Sequence, residues 1–299
     1  MPLENRTVLV TGGSNGTGLA LAREAHRLGA AVVVGSRSAE RLATISQELG
    51  GTRFHPFVAD LTDEQASKMA LRALAAGGVR LTDLVHSAAG GFEPVLRRLV
   101  RRCVALRRVP ADELPAAFDA ARSEVMPLVA ASLDGAMKVN FTAARALIDE
   151  VAGGLPSGGS IIVYSSLWSS FYGRAPVPGF YRSIAESKLA LESWFAGRAP
   201  DLAKRGITTA IVSGHIILDS GTGGLIDRFV VPLMPPAAQA RFRSYYITTE
   251  DMVNATIAVL SEAERAPGRS MLNSFLIGPH QILDDLPADT PALADELPL

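Results

Sequence analysis

The sequence predicts a doubly wound α/β fold, in which helices cover both faces of a parallel sheet. Short β-branched runs, such as residues 7–10 and 161–163, are apolar throughout, as expected for strands buried on both faces. These runs alternate with segments of helical periodicity, the pattern of strand–helix–strand units. The 299 residues and 48% hydrophobic content suit one large domain, which we place at residues 1–280.

The composition argues against several classes of function. A net charge of -1 and a pI near 6.5 give no broad attraction to nucleic acid or to a membrane surface. Cys103 is the only cysteine, which excludes an internal disulfide and any metal site with several cysteines, and we predict no metal site. The chain has no apolar run of 18 residues and starts directly with a strand, so we expect a cytoplasmic protein without a signal peptide.

A glycine-rich turn joins the first predicted strand to a helical pattern over residues 19–28. Glycines let the backbone approach a pyrophosphate closely, and the start of a helix presents free N–H groups and a positive dipole end to it. We therefore expect a dinucleotide to bind at Gly12, Ser14, Asn15, Gly16 and Gly18. The alternative is a turn that is only structural.

The glycines at positions 12, 16 and 18 have the spacing T-G-x-x-x-G-x-G, and from this turn onward the chain resembles the short-chain dehydrogenase/reductase family. The resemblance implies a Rossmann-type single domain that binds a nicotinamide dinucleotide. It also implies an NAD(P)H-dependent oxidoreductase that assembles as a homodimer or homotetramer.

The end of the second predicted strand, residues 31–35, bears on the choice of cofactor. An acid at this place would bind the ribose 2′-hydroxyl of NAD. Here Ser36 and Arg37 follow the strand instead. Arg37 would suit a 2′-phosphate, so we predict NADPH rather than NADH, the alternative being a solvated loop charge.

Three further strand ends resemble the family's cofactor contacts. The resemblance implies roles for Asp60 and Leu61 at the adenine, Ser87 and Ala88 beside the cofactor, and Gly214 and Ile216 at the nicotinamide amide. Asp60 could instead cap the next helix, near residues 62–75. His86, before Ser87, is a candidate catalytic acid or a packing histidine, and its neighbourhood resembles the enoyl-acyl-carrier-protein reductase branch of the family.

Between Gly90 and Asn140 the chain is longer than in most family members, and we predict a helical insertion at about residues 92–130. Its first helix interleaves arginines with apolar residues at helical spacing, and a second helical pattern covers residues 111–131. The arginines could form a solvated face over the core. They could also dock an acidic partner such as an acyl carrier protein, at Arg97, Arg98, Arg101 and Arg102.

The strand at residues 161–163 carries hydroxyl side chains to the sheet edge where open α/β sheets bind ligands. Ser166 matches the family serine that hydrogen-bonds the reacting oxygen, with Ser165 as the second candidate. Asn140 matches the asparagine that helps to hold a proton-relay water. Lys188 matches the family lysine, which binds the nicotinamide ribose and lowers the pKa of a catalytic tyrosine.

The tyrosine departs from the usual family spacing. It normally lies four residues before the lysine, where this chain has Ile184, whereas Tyr181 lies seven residues before Lys188. Residues seven apart on one helix are separated by roughly 10 Å along its axis, so Tyr181 should lean toward Lys188 or lie just outside the first turn. Tyr-x6-Lys is the spacing of the enoyl-acyl-carrier-protein reductases. Tyr172 and Tyr164 are the alternatives to Tyr181.

These features favour an NADPH-dependent reductase that transfers hydride to an α,β-unsaturated thioester. A carbonyl reductase or alcohol dehydrogenase of the same family is the first alternative, and a catalytically silent NADP(H)-binding sensor is the second. Residues 215–247 resemble the family's mobile substrate lid. Residues 281–299 form an acidic, proline-containing tail, which we expect to be extended.

Overall fold

Apolar, β-branched runs form the strands of one sheet in the computed structural model, which describes residues 3–174, 177–276 and 282–283. The strands within those residues are β1 (Thr7–Thr11), β2 (Ala31–Ser36), β3 (Phe54–Val58), β4 (Asp83–His86), β5 (Ser160–Ser166), β6 (Thr208–Gly214), β7 (Ser270–Leu276) and β8 (Ile282–Leu283). Their order is β3-β2-β1-β4-β5-β6-β7-β8. The first seven pair in parallel, which confirms the predicted sheet.

The two-residue strand β8 was not predicted. It pairs antiparallel with β7 and lies inside the segment expected to be a tail, residues 281–299. Residues 282 and 283 therefore lie extended along part of the β7 edge that would otherwise be open, and the extended tail as a whole stays a prediction. Ile277, expected to end the last strand, and the remainder of the tail lie outside the described residues.

The helices pack on both faces of the sheet, as the doubly wound prediction requires. They are α1 (Gly16–Arg27), α2 (Ala39–Glu48), α3 (Glu64–Ala76), α4 (Glu93–Leu106), α5 (Leu114–Met137), α6 (Ala144–Gly154), α7 (Leu167–Phe171), α8 (Arg182–Lys204), α9 (Gly221–Leu225), α10 (Pro236–Ser244) and α11 (Thr249–Arg265). Alternate strand residues face opposite sides. Val8 and Val10 pack with α1, α2 and α11, while Leu9 packs with α6 and α8.

The predicted insertion forms α4 and α5, which pack with α7 and α10 around a third apolar cluster. Two details differ from the sequence interpretation. Helix α5 runs to Met137, past the expected end at residue 131, and no break separates it from the helix that bears Asn140. The chain instead continues through a π-helical segment, Lys138–Ala143, into α6. Such segments are frequent at functional sites.

The segment compared with a substrate lid, residues 215–247, is anchored at both ends. The Leu218 N–H donates to the Ile247 carbonyl at 2.9 Å, and the Ile247 N–H donates to the Ile216 carbonyl at 3.1 Å. Between these anchors lie α9, a π-helical turn (Ile226–Val230) and α10. The two ends of the segment are therefore hydrogen-bonded to each other next to the end of β6. The mobility of the segment stays a prediction.

Candidate active site

A cleft of about 1250 Å³ opens at the carboxyl ends of the strands. Every residue predicted to bind the cofactor lines it: Gly12, Ser14, Asn15, Gly16, Gly18, Ser36, Arg37, Asp60, Leu61, Ser87, Ala88, Lys188, Gly214 and Ile216. The predicted catalytic residues Ser166 and Tyr181 line it as well. Asn140 is the one predicted site residue that is not in the lining. The carboxyl ends of six strands, β1 to β6, thus meet at one cleft.

The glycine turn has the geometry of a phosphate cradle. Gly12 has a φ of 64°, and a Cβ at this position would lie 2.9 Å from the Cα of Ala88. A Cβ at Gly18 would lie 2.6 Å from the Gly12 carbonyl oxygen. Only glycine fits at these two positions, and α1 begins within the turn at Gly16, so its free N–H groups face the cleft. The structure therefore agrees with the predicted dinucleotide site.

Thr11 holds this turn against β4, a role that the sequence analysis missed. Its hydroxyl oxygen accepts the N–H groups of Ser87 at 3.1 Å and Ala88 at 3.2 Å. It also lies 3.1 Å from Nδ1 of His86. Because the oxygen already accepts twice, its proton goes to Nδ1, and the imidazole proton then sits on Nε2.

His86 fits the packing interpretation better than the catalytic one. The side chain is buried, and burial lowers its pKa to about 3, with a smaller contribution from the Lys188 charge. A histidine of such low pKa is neutral at physiological pH and has no acidic proton to give. His86 is also absent from the cleft lining.

One end of the cleft gathers hydroxyl and guanidinium groups. Ser14 donates to the Ser36 hydroxyl at 2.9 Å, and Arg37 is 81% exposed, 3.9 Å from a carboxylate oxygen of Asp60. Arg41, one turn into α2, lines the same end and was not identified from the sequence. Two guanidinium groups can therefore reach one anion here.

Asp60 does not cap a helix. Its Oδ1 accepts the Thr62 N–H at 2.9 Å and the Thr62 hydroxyl at 2.8 Å, and the cap of α3 is Asp63. The Thr62 hydrogen bonds, assisted by the Arg37 charge, lower the pKa of the Asp60 carboxyl. The capping alternative is therefore wrong, because the acid that accepts from the first turn of α3 is Asp63.

Tyr181 lies at the opposite end, outside the regular helix as its spacing predicted. It ends a 3₁₀ turn, Gly179–Tyr181, immediately before α8. Ser166 is the side chain that acts to lower the Tyr181 pKa, so the two hydroxyl groups are neighbours. Its ring packs edge-on against Trp168 at 5.0 Å and Phe92 at 5.4 Å between centroids. The hydroxyl is therefore held at the end of β5 by an aromatic wall.

The lowering of the Tyr181 pKa by Lys188 stays a prediction. Burial raises the pKa of Tyr181 to about 12, and the Ser166 side chain opposes that shift. The Lys188 ammonium instead donates to the Tyr164 carbonyl oxygen at 3.1 Å. Tyr181 consequently keeps its proton at neutral pH, and the hydroxyl is poised as a donor.

Lys188 is tuned by two opposing effects. Burial lowers its pKa to about 8, while the negative charge of Glu192, one turn later on α8, acts to raise it. Glu192 also accepts a hydrogen bond from Ser165, the second candidate for the reacting serine. Ser165 is therefore engaged in holding Glu192, and Ser166 is the serine that meets Tyr181.

The alternative tyrosines point elsewhere. The Tyr172 hydroxyl donates to Glu186 at 2.5 Å and is not part of the cleft lining. Tyr164 lines the cleft, but its hydroxyl lies 2.6 Å from the buried Thr256 hydroxyl on α11. Ile184, at the usual tyrosine position, is buried and lines the cleft one turn after Tyr181. The geometry thus agrees with Tyr181 among the three candidates.

Asn140 supports the cleft from behind. Its Oδ1 accepts the Gly90 N–H at 2.9 Å, and its Nδ2 donates to the Gly90 carbonyl at 3.1 Å and to the Ser187 hydroxyl at 3.0 Å. Asn140 therefore does not line the cleft, contrary to its predicted place there. Its amide joins the loop after β4 to α8. A role in holding a water stays a prediction.

The arginines of α4 divide into two groups. Arg98 and Arg102 are half-buried and both bind Glu124 on α5. Arg97 and Arg101 are exposed on the other side of the helix, beside the exposed Val104. Arg98 and Arg102 thus already have an internal carboxylate partner, and the predicted four-arginine docking surface stays a prediction.

Within the described residues, no cluster of three or more His, Cys, Asp or Glu side chains is arranged to hold a metal. None of the helices in that part of the chain is both long and apolar enough to cross a membrane.

Residues 6–109 match the family model described as short chain dehydrogenase. Serine 3-dehydrogenase of Rhizobium radiobacter is 42% identical over 82 residues, which cover 27% of this chain and 32% of that protein. The "Probable NADP-dependent dehydrogenase" of Haemophilus influenzae is 39% identical over 94 residues, 31% of this chain and 37% of that protein. The 3-ketodihydrosphingosine reductase of Aspergillus fumigatus is 36% identical over 101 residues, 31% of this chain and 28% of that protein. The chain thus spans less than two fifths of these relatives' length.

Solved structures match almost the whole chain. A dehydrogenase/reductase from Sinorhizobium meliloti 1021 has a TM-score of 0.63 and 25% identity, with 93% of this chain and 95% of that chain covered. A short-chain dehydrogenase/reductase from Serratia marcescens has a TM-score of 0.61 and 24% identity, with coverages of 91% and 97%. The second likeness shows the fold alone. Together the two structural likenesses agree with the predicted α/β fold.

Proposed function

We propose that this chain is an NADPH-dependent oxidoreductase of the short-chain dehydrogenase/reductase family that reduces a carbonyl group to an alcohol, a proposal that the family match over residues 6–109 supports. The observation that supports this proposal is that Ser166 and Tyr181 are neighbouring hydroxyl groups in the cleft lining. A protonated tyrosine beside a serine hydroxyl can hold a carbonyl oxygen between two donors and protonate it. The names of two relatives, a serine 3-dehydrogenase and a 3-ketodihydrosphingosine reductase, denote alcohol and ketone chemistry of those proteins.

The residues present fit a nicotinamide dinucleotide phosphate. The cradle around Gly12 and Gly18 would hold the pyrophosphate, since a Cβ at either position would collide with backbone. Arg37 and Arg41, with Ser14 and Ser36, would hold a 2′-phosphate. When bound, the cofactor supplies the hydride.

The protein's own groups would act on the carbonyl oxygen. Ser166 would donate a hydrogen bond to that oxygen and orient it. Tyr181 would then give its hydroxyl proton as negative charge develops there. Its pKa of about 12 keeps the hydroxyl protonated beforehand, which favours the reductive direction at neutral pH. Lys188, beside the Tyr164 carbonyl, would supply positive charge at the ribose end of the reacting site.

Reduction of an α,β-unsaturated thioester is the second candidate, favoured by the Tyr-x6-Lys spacing. The charge on the carbonyl oxygen would again be stabilised by Tyr181, but the enolate could receive its proton at carbon from solvent. A silent NADP(H)-binding sensor is the third, favoured by Ile184 at the usual tyrosine position. The test follows NADPH oxidation at 340 nm with an acetoacetyl and a crotonyl thioester side by side. Turnover of the first alone supports carbonyl reduction, and turnover of neither supports the sensor.

An acidic carrier remains a proposed partner. Arg97 and Arg101 stand exposed on α4 around the apolar Val104, which is exposed by 38%. Such a surface offers two cations and an apolar contact to an acidic helix. We propose that a carrier-bound substrate would dock there; assembly into a homo-oligomer in the cytoplasm likewise stays a prediction.

A further inference from the structure

His215 follows β6 directly and lines the cleft. Neither of its ring nitrogens has a hydrogen-bond partner among the described residues, and both are closed off from solvent. A buried polar group without a partner costs free energy that water would otherwise repay, so native proteins rarely keep one without a use. His215 therefore has hydrogen-bonding capacity that the free protein does not use.

Aromatic rings surround this imidazole. Centroid distances are 5.1 Å to Phe242, 5.4 Å to Trp168, 6.0 Å to Tyr245 and 6.4 Å to Tyr246. Burial lowers the pKa of His215 to about 3, so the ring is neutral over the physiological range. A neutral imidazole offers one N–H donor and one acceptor nitrogen, and it does not attract an anion by charge.

The charges of the cleft lie away from this aromatic end. The basic side chains in the described lining are Arg37 and Arg41 at the ribose end, and Lys188, which is bonded to the Tyr164 carbonyl. Behind the ring of Tyr246, the Asp227 carboxylate accepts the tyrosine hydroxyl at 3.0 Å and is paired with Arg243 at 2.8 Å, outside the cleft lining. A substrate carboxylate placed here would therefore lose its hydrating water, and it would gain no cation from the cleft lining in exchange.

Trp168 links His215 to the reacting group, since its ring also contacts Tyr181 at 5.0 Å. A flat ring next to the reacting carbonyl could pack on this wall and place a second polar group near His215. The rings of Phe242, Tyr245 and Tyr246 now cover the imidazole, so such a ligand would displace the side chains on and after α10.

We propose that His215 is a specificity-determining residue that hydrogen-bonds a neutral hydroxyl or carbonyl group on an uncharged, ring-bearing ketone. This inference rests on the proposed function for the place of the reacting carbonyl at Tyr181. It identifies the substrate class as neutral and aromatic or alicyclic, in contrast to a charged amino acid.

Ligand binding can be measured without turnover. The chain has two tryptophans, so Trp194→Phe leaves Trp168 as the sole fluorescent reporter in the NADP⁺-loaded protein. Three acetophenones share one ketone and differ at the para position, which carries hydroxymethyl, ethyl or carboxylate. We expect the hydroxymethyl compound to bind three- to tenfold more tightly than its ethyl isostere, the usual scale of one neutral hydrogen bond. The carboxylate should bind most weakly.

His215→Phe should abolish the preference for hydroxymethyl over ethyl while keeping the affinity for the ethyl compound. His215→Gln keeps a hydrogen-bond donor and an acceptor, so it should retain part of the preference for the hydroxymethyl compound. This variant replaces His215→Phe in the test if the Phe variant does not fold. An unchanged preference in both variants, tightest binding of the carboxylate, or no fluorescence response to any compound overturns the inference. A protein that binds as expected but never oxidises NADPH with any ketone refutes the proposed function instead.

Discussion

The side chains of Ser166 and Tyr181 are neighbours in the cleft lining although they come from the end of β5 and from the turn before α8. Tyr181 precedes Ile184 by three residues, close to one helical turn, so both side chains face the cleft. Compared with the usual spacing, the tyrosine lies about one helical turn earlier in the chain, whereas the serine lies at the usual strand end. This arrangement underlies the proposed proton donation.

Tyr181→Phe removes only the hydroxyl of this pair. We expect kcat to fall by about two orders of magnitude or more, the usual scale for a positioned acid, while the Kd for NADPH stays the same. Tyr172→Phe is the matched control, because its hydroxyl bonds Glu186 outside the cleft, and it should leave kcat near normal. If the control loses activity and Tyr181→Phe keeps it, the assignment of the reacting tyrosine is wrong.

Cofactor choice should depend on the two arginines at the ribose end. Arg37→Glu is expected to weaken NADPH binding by about ten- to a hundredfold and to reverse the preference over NADH, since a charge-assisted bond to phosphate is lost. Arg41→Ala should weaken NADPH binding less and leave NADH binding unchanged. Both follow from Kd values measured by titration of nicotinamide fluorescence. Equal affinities for the two cofactors in the unchanged protein contradict the 2′-phosphate site.

The pKa of Lys188, lowered to about 8 by burial, predicts an alkaline limit to activity. The cation is present below that pH and is lost as pH rises through it, so kcat/KM should fall near pH 8. Glu192→Gln removes the carboxylate that raises the Lys188 pKa but keeps an acceptor for Ser165. The fall in kcat/KM should therefore occur at a lower pH in this variant. Glu186→Gln, on the same helix, is the control and should not move it. An identical pH profile in the Glu192 variant would contradict the claim that the Glu192 charge raises the Lys188 pKa.

The sequence predicted most of the fold because its signals are local. The β-branched runs and the glycine spacing at 12, 16 and 18 report directly on backbone conformation, and the structure has the strands and turn there. The position of Tyr181 outside α8 also followed from local facts, the distance to Lys188 and the flanking Pro178 and Gly179.

The supporting contacts were not predictable in the same way. Asn140 reaches Gly90, 50 residues away, and Ser165 reaches Glu192, 27 residues away. Whether Glu124 neutralises Arg98 and Arg102 depends on how α4 packs on α5. Such pairs depend on tertiary packing, so motif spacing identified the residue types and left their partners open.

The two groups of arginines make a matched comparison. Arg97→Ala with Arg101→Ala should raise KM for a carrier-bound substrate, more strongly at low salt, and leave kcat on a short soluble thioester unchanged. Arg98→Ala with Arg102→Ala removes the same charge from residues that bind Glu124, and should raise KM less. Equal effects of the two double variants would show that only total charge matters.

The central claim is that the Ser166–Tyr181 pair protonates a carbonyl oxygen. The most direct measurement is the rate of NADPH oxidation at 340 nm on acetoacetyl and crotonyl thioesters, in the unchanged protein and in Tyr181→Phe. The account predicts turnover of the acetoacetyl substrate and its loss by at least about a hundredfold in the variant. Turnover of the crotonyl substrate alone, or an acetoacetyl rate that survives the loss of the hydroxyl, would contradict it.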